Sequence, residues 1–291
     1  MRDLHEVQRL LEKVGIPGRD AYALPDSAKT FPDGAHYRME ISGIERPQVL
    51  EALIDEMRAR EMPIHRLIST VMGSTLLDDA ELKDFAQMAA EARLEVIITP
   101  GPRAGWDVGR QVATPEGGLS GLRYRGSDQL SYVVAEYLRC IDLGFRGFLC
   151  IDEGLLWLVN ELKKTGDIPQ DVVFKVSIYA GHANPAGARV LQSLGAATFN
   201  PLGDLSLPQL AAIRQAVDIP LDLHIYLAES FGGFNRFYDG AEMARVCAPC
   251  YFKIEPGVAL AAGPAAIYRP WTSPEFLAAQ AREKVKYAEI I

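Results

Sequence analysis

The chain is poor in the residues and motifs that mark the commonest enzyme chemistries. Among 291 residues there are 5 histidines, 4 cysteines and 3 tryptophans. Only Cys247 and Cys250 lie close together, so neither a disulfide framework nor an iron–sulfur cluster is expected. No Gly-x-Gly-x-x-Gly follows a first strand, and there is no P-loop, no His-Glu-x-x-His pair and no Gly-x-Ser-x-Gly elbow. Those absences remove a nucleotide cofactor, zincin chemistry and the elbow type of serine hydrolase from the expectation. Long apolar runs are missing as well. The most apolar stretch, Val258 to Ile267, is interrupted by Gly263 and Pro264 and falls far short of the roughly 20 residues a membrane span needs. Charges at Arg2, Asp3 and Glu6 break up any secretory core at the start, so a cytoplasmic protein with no membrane partner is expected. Positive charge is in deficit too, with 30 Lys and Arg against 38 Asp and Glu. A net charge of −8 speaks against nucleic acid as a partner, because such binding runs on neutralised phosphates.

What the chain does have is alternation. Hydrophobic residues make up 48% and charged residues 23%, the mix of a folded globular protein. Short β-branched runs recur at 36–42, 65–70, 94–99, 147–152, 172–179, 197–200, 221–226 and 251–255, with amphipathic stretches between them. Asp78 or Asp79, Ser127, Pro185 and Pro208 read as helix starts, and the last helix runs from Pro274 to Tyr287. Eight strand–helix pairs in strict alternation predict parallel strands closed into a single α/β (β/α)8 TIM barrel, over 36–291. A doubly wound open sheet is the alternative. Residues 1–35 carry a predicted helix, Asp3 to Val14, and a Pro/Gly-punctuated stretch. This capping helix and plug should lie across the N-terminal face of the barrel.

Side chains alternate along a strand, so residues two apart share a face. In four strands one face is apolar and belongs under the helices, which sends Arg38, Glu40 and Ser42, Lys175, Ser177 and Tyr179, Asp222, His224 and Tyr226, and Tyr251, Lys253 and Glu255 inward. Buried charges need partners, so Arg38, Lys175 and Lys253 are expected to pair with Glu40, Asp222 and Glu255. Such pairing is structural in one reading. In the other it is catalytic, because active sites of this fold sit at the strand C-termini, where Glu153 and Asn200 also fall. Glu153, His224 and Glu255, with Glu40 nearby, make an oxygen-plus-imidazole set for a divalent ion such as Mg, Mn or Zn.

The loops at that end carry further candidates. The 27-residue segment 100–126 holds Arg103, Arg110, Arg123 and Arg125 against Asp107 and Glu116, a basic lid in an acidic chain that suggests an anionic substrate. Gly232 and Gly233 follow the seventh strand, where barrels often hold a phosphate. His182 and Asn184 precede a helix N-terminus, and His182 is the better acid–base candidate because it can reach solvent.

The run Phe252-Lys-Ile-Glu255 resembles the Lys-Ile-Glu signature of the collagenase-like U-32 peptidase family, and residues 30–257 resemble bacterial proteins of that family. The chain departs from the pattern in carrying Pro256-Gly257 where Gly-Arg is usual, and in lacking the clustered cysteines of some relatives. The resemblance implies a barrel, a hydrolase acting on a small anionic or peptide-like substrate, and site roles for Lys253 and Glu255. The catalytic expectation is therefore Glu40, Glu153, Lys175, His182, Lys253 and Glu255, with Arg38, Arg103, Asn200, Tyr226, Gly232 and Gly233 around the substrate. A lyase or aldolase acting on an oxo acid, through a Schiff base on Lys175 or Lys253 or through a divalent metal, is the alternative. A scaffold without catalysis is a third reading. A homo-oligomer is compatible with the sequence but is not specified by it.

Overall fold

The computed structural model describes residues 3–71, 73–101, 123–228, 233–255 and 273–291. Eight parallel strands close on themselves: β1 (Tyr37–Ile44), β2 (Arg66–Ser69), β3 (Glu95–Ile98), β4 (Gly147–Cys150), β5 (Val173–Val176), β6 (Thr198–Phe199), β7 (Leu221–Leu227) and β9 (Cys250–Ile254), which pairs with both β7 and β1. The expected barrel is therefore the observed one. A short strand, β8 (Phe234–Asn235), folds back antiparallel on the end of β7, and the sequence pattern did not announce it.

Helices surround the strands: α2 (Pro47–Ala59), α3 (Asp79–Glu91), α4 (Gly126–Asp142), α5 (Glu153–Thr165), α6 (Pro185–Ser193), α7 (Leu207–Ala216), α8 (Gly240–Cys247) and α9 (Pro274–Ile290), after an N-terminal α1 (Leu4–Lys13). Local chemistry sets their starts. Asp78 and Glu81 form a reciprocal capping box at α3, Asp152 accepts from Leu155 N at α5, and Asn184 accepts from Gly187 N just before Pro185 opens α6. None of these helices is long and apolar enough to cross a membrane, among the described residues. Ile41, Leu67, Ile98, Phe148, Phe174, Phe199, Leu223 and Phe252, one from each barrel strand, are buried beneath the helices and form the main apolar layer. That layer leaves the opposite face of every strand to the barrel interior.

Two details differ from the sequence expectation, and a third concerns the N-terminal segment. The fifth strand ends at Val176 and gives way to a tight turn at Ile178–Ala180, so Tyr179 is off the strand. In β7 the register against β9 slips between His224 and Tyr226, and this bulge reverses the side-chain parity beyond it. Tyr226 consequently turns away from the interior and packs against Phe237 and Tyr287, with ring centroids 5.9 and 5.2 Å away. Finally, α1 has no buried residue. The stretch after it makes the contacts: Ala21 N bonds Pro208 O in the first turn of α7, and at the N-terminal end Ser27 N bonds Arg245 O and Phe31 packs edge-on against Tyr251.

Candidate active site

The interior is built in tiers along the barrel axis, because inward residues of neighbouring strands sit at staggered heights. At the N-terminal end Arg38 bonds Asp33 and Glu95, both at 2.9 Å, and Tyr251 donates to Glu95 at 2.8 Å. Arg38 is thus at the wrong end for the substrate role expected of it. Parity gave its face correctly, but its place at the start of β1 puts it far from the strand C-termini.

The middle tier is a closed ion cluster. Arg66 bonds both Glu40 and Asp222 and stacks over Tyr251 at 3.3 Å, while Lys175 lies 2.5 Å from Asp222 and 3.2 Å from Glu40. Thr198 donates to Asp222 at 2.7 Å. Two cations face two carboxylates, so desolvation is offset within the cluster. Burial would raise Asp222, but the charges of Arg66 and Lys175 outweigh it and hold its carboxyl at about 2. Burial wins at Lys175, whose ammonium is pulled down to about 8 although Asp222 and Glu40 resist. Glu40 belongs to this cluster, below the mouth. Arg66 escaped the sequence reading, although β2 obeys the same alternation as its neighbours.

Above the cluster, β7 and β9 bring His224, Lys253 and Glu255 together. Glu255 Oε1 receives His224 Nε2 and Lys253 Nζ, both at 2.7 Å. Burial opposes the ionised form of Glu255, yet Lys253 and His224 hold it well below the usual carboxylate range. Lys253 is raised, because Glu255 and Glu40 outweigh its burial, and His224 is lowered by burial and by Lys253. The trio is therefore an ammonium, a carboxylate and a neutral imidazole whose Nε2–H donates. Among the described residues its buried Nδ1 lone pair meets no donor, and neither does Asn200 Oδ1, whose amide nitrogen donates to Asp222 O at 2.6 Å on the adjoining strand. Two unmet acceptors at the upper end of the barrel are costly unless something supplies hydrogen-bond donors.

Beyond β4 and β5 lies a second histidine–carboxylate pair. Glu153 opens α5 and His182 follows the turn after β5, which brings Nε2 to 2.6 Å from Glu153 Oε1. Arg123 grips the same carboxylate through both terminal nitrogens, one at 3.2 Å, and bonds Ile151 O at 3.1 Å. Burial works against the ionised Glu153, but Arg123, its own backbone N–H and His182 hold it lowered. Gly187, in the first turn of α6, leaves the room this ring needs, since a Cβ there would overlap His182 Nδ1. The His182 side chain is 19% exposed and Glu153 28%, so this pair meets solvent.

Another residue the sequence reading passed over is Lys284, on α9. Its ammonium bonds Ser42 O at 2.7 Å, and burial lowers it to about 8 despite Glu255 and Glu45. Arg103 and Gly232 lie outside the described residues, and Gly233, which follows Gly232 in the chain, adopts a left-handed φ of 68°. Cys247 and Cys250 are buried, and burial pushes Cys247 up to about 12, which leaves no reactive thiol there. The three groups expected to share a metal divide between two places, Glu153 with His182 and Glu255 with His224. Lys253 already occupies Glu255, and no group of three or more His, Cys, Asp or Glu fit for a metal ion is gathered among the described residues. Among the described residues the expected donor set is therefore split rather than gathered.

This topology defines a (β/α)8 barrel of the triosephosphate-isomerase type. No protein-family model matches the chain, and no curated protein matches it in sequence. Among solved structures, it is similar to the D-psicose 3-epimerase of Clostridium cellulolyticum H10, solved with D-tagatose, at TM-score 0.51 and 11% identity over 87% of this chain and 98% of that one. The YdjI aldolase of Escherichia coli K12 matches at TM-score 0.48 and 16% identity, covering 88% of this chain and 89% of its own. A U32 peptidase matches at 0.44 and 18%, covering 71% and 74%. The likeness to the epimerase shows the shared barrel and nothing finer.

Proposed function

We propose that the chain is an acid–base enzyme working at the strand C-termini, a hydrolase of the U-32 type acting on a small anionic or peptide-like substrate. The observation that carries this reading is the solvent-reaching trio of Arg123, Glu153 and His182. Ionised Glu153 takes the Nε2–H of His182, fixing the tautomer in which Nδ1 is free to accept a proton from water. Glu153 then stabilises the imidazolium that forms, and the cations Arg123 and Lys253 favour an anionic substrate or a developing oxyanion. The unmet acceptors His224 Nδ1 and Asn200 Oδ1 favour a substrate with N–H groups, as a peptide has. The Lys-Ile-Glu resemblance points the same way, since Lys253 and Glu255 are its two charged members. Digestion of a peptide library, read by mass spectrometry, should give products whose rate of formation falls roughly 10²- to 10⁴-fold in His182→Asn. No cleavage by the unaltered chain overturns the reading.

The lyase alternative keeps one supporting observation, the Lys175 amine drawn down to about 8. Against it, Lys175 is 1% exposed and held between two carboxylates, and Lys253 is kept charged by Glu255. Borohydride trapping with pyruvate-like acids separates the two: a mass increase at either lysine favours the lyase.

A further inference from the structure

The barrel also has an opening at its other end. A cavity of ≈ 490 Å³ enters between the starts of β3, β4 and β5, where the N-terminal segment does not reach, and runs inward as far as the middle ion cluster. Interiors are packed with few voids larger than a water molecule, whereas small-molecule sites span about 300–1,000 Å³. This space therefore has the size of a binding site. Its outer walls are small and apolar, with Ala86, Ala89, Phe145, Val173 and Ala197 among them. Its charged lining is Arg66, Lys175 and Arg146 against the single carboxylate of Glu95. Arg66 and Lys175 are 2% and 1% exposed, and their partners Glu40 and Asp222 do not border the cavity. A ligand entering here meets apolar walls first and then the guanidinium of Arg66 and the ammonium of Lys175, whose balancing carboxylates form no part of the cavity wall, while Arg146 is paired with Asp171 at 3.0 Å.

We infer that this N-terminal cavity is a second ligand site, separate from the mouth, for a small organic carboxylate with an apolar body. The carboxylate would turn toward Lys175 and Arg66, while a ring or short chain lies against Ala86, Phe145 and Val173. Catalytic groups in this fold cluster at the opposite end, so occupancy here has no part in the chemistry at the mouth.

Benzoate is the probe, with benzyl alcohol as its neutral counterpart, titrated by calorimetry into the full chain. Benzoate should bind at least tenfold more tightly than benzyl alcohol. Ala86→Phe or Ala197→Phe, each filling the cavity from a different wall, should weaken benzoate at least tenfold, while His182→Asn leaves its binding unchanged. Should either variant fail to fold, intermolecular nuclear Overhauser contacts from benzoate to Phe145 and Val173 in the unaltered protein answer the same question. No benzoate binding, equal affinity for benzyl alcohol, insensitivity to the phenylalanine variants or absence of those contacts overturns the inference.

Discussion

Glu40, Arg66, Lys175 and Asp222 are each 2% exposed or less, whereas the side chains of Glu153 and His182 keep 28% and 19% of their surface in solvent. Both sets are acid–base groups on one barrel, the first within its strands and the second just past the ends of β4 and β5. In the buried set every charge is matched, and removing one leaves its partners stranded in low dielectric. In the exposed set, water reaches the carboxylate and the ring, so protons can be exchanged without unfolding anything. Enclosure thus separates charges that hold the barrel together from charges that can work on a substrate.

The sharpest way to break this contrast is Arg66→Met, which strands Glu40 and Asp222 and should cost about 3–5 kcal/mol in urea unfolding. A cost under about 1 kcal/mol would mean that the cluster is not the buried network described. His182→Asn should do the reverse. Turnover should fall roughly 10²- to 10⁴-fold, the usual span for loss of a general base, with unfolding stability within about 1 kcal/mol of the parent.

The buried lysines should also show in the pH dependence of stability. Lys175 and Lys284 have folded values near 8 against an ordinary 10.5, so between those values the unfolded chain binds more protons. Stability should therefore rise as pH climbs from about 8 to about 10.5, by at most about 1.4 kcal/mol per pH unit for each group. Lys284→Met should flatten that rise, and a flat parent profile would show that neither amine is depressed. Gly187→Ala gives a finer test. Displacing the His182 ring should lower turnover about tenfold, while the helix gains up to about 1 kcal/mol, read by thermal unfolding. Smallest of all, Arg38→Met at the N-terminal rim should change stability by about 1 kcal/mol or less and leave turnover alone, because its ion pairs are exposed.

Much of the interior was readable from alternation because strand parity is a local property. Glu40, Lys175, Asp222, His224 and Lys253 all face inward as their odd–even spacing requires. Tyr226 broke the rule through a bulge, which depends on how β7 meets β9 and leaves no mark in the spacing of β7 itself. Arg38 kept the rule but stands at the N-terminal end, since parity tells the face of a strand and says nothing about height. Arg66 needed only the same arithmetic applied to β2. Lys284 had no such signal, because a helix reaches into the strand layer only where packing allows it.

Taken alone, the order of residues determined the eight strand–helix units, the capped helix starts and the inward set of charges, since each arises from neighbours within a few positions. The pairing of Glu153 with His182 and Arg123, the grip of Arg66 on two carboxylates and the cavity under β3 to β5 were decided only in three dimensions. The paired groups stand 26 to 156 residues apart in the chain, and only closure of the barrel brings such groups within hydrogen-bonding reach.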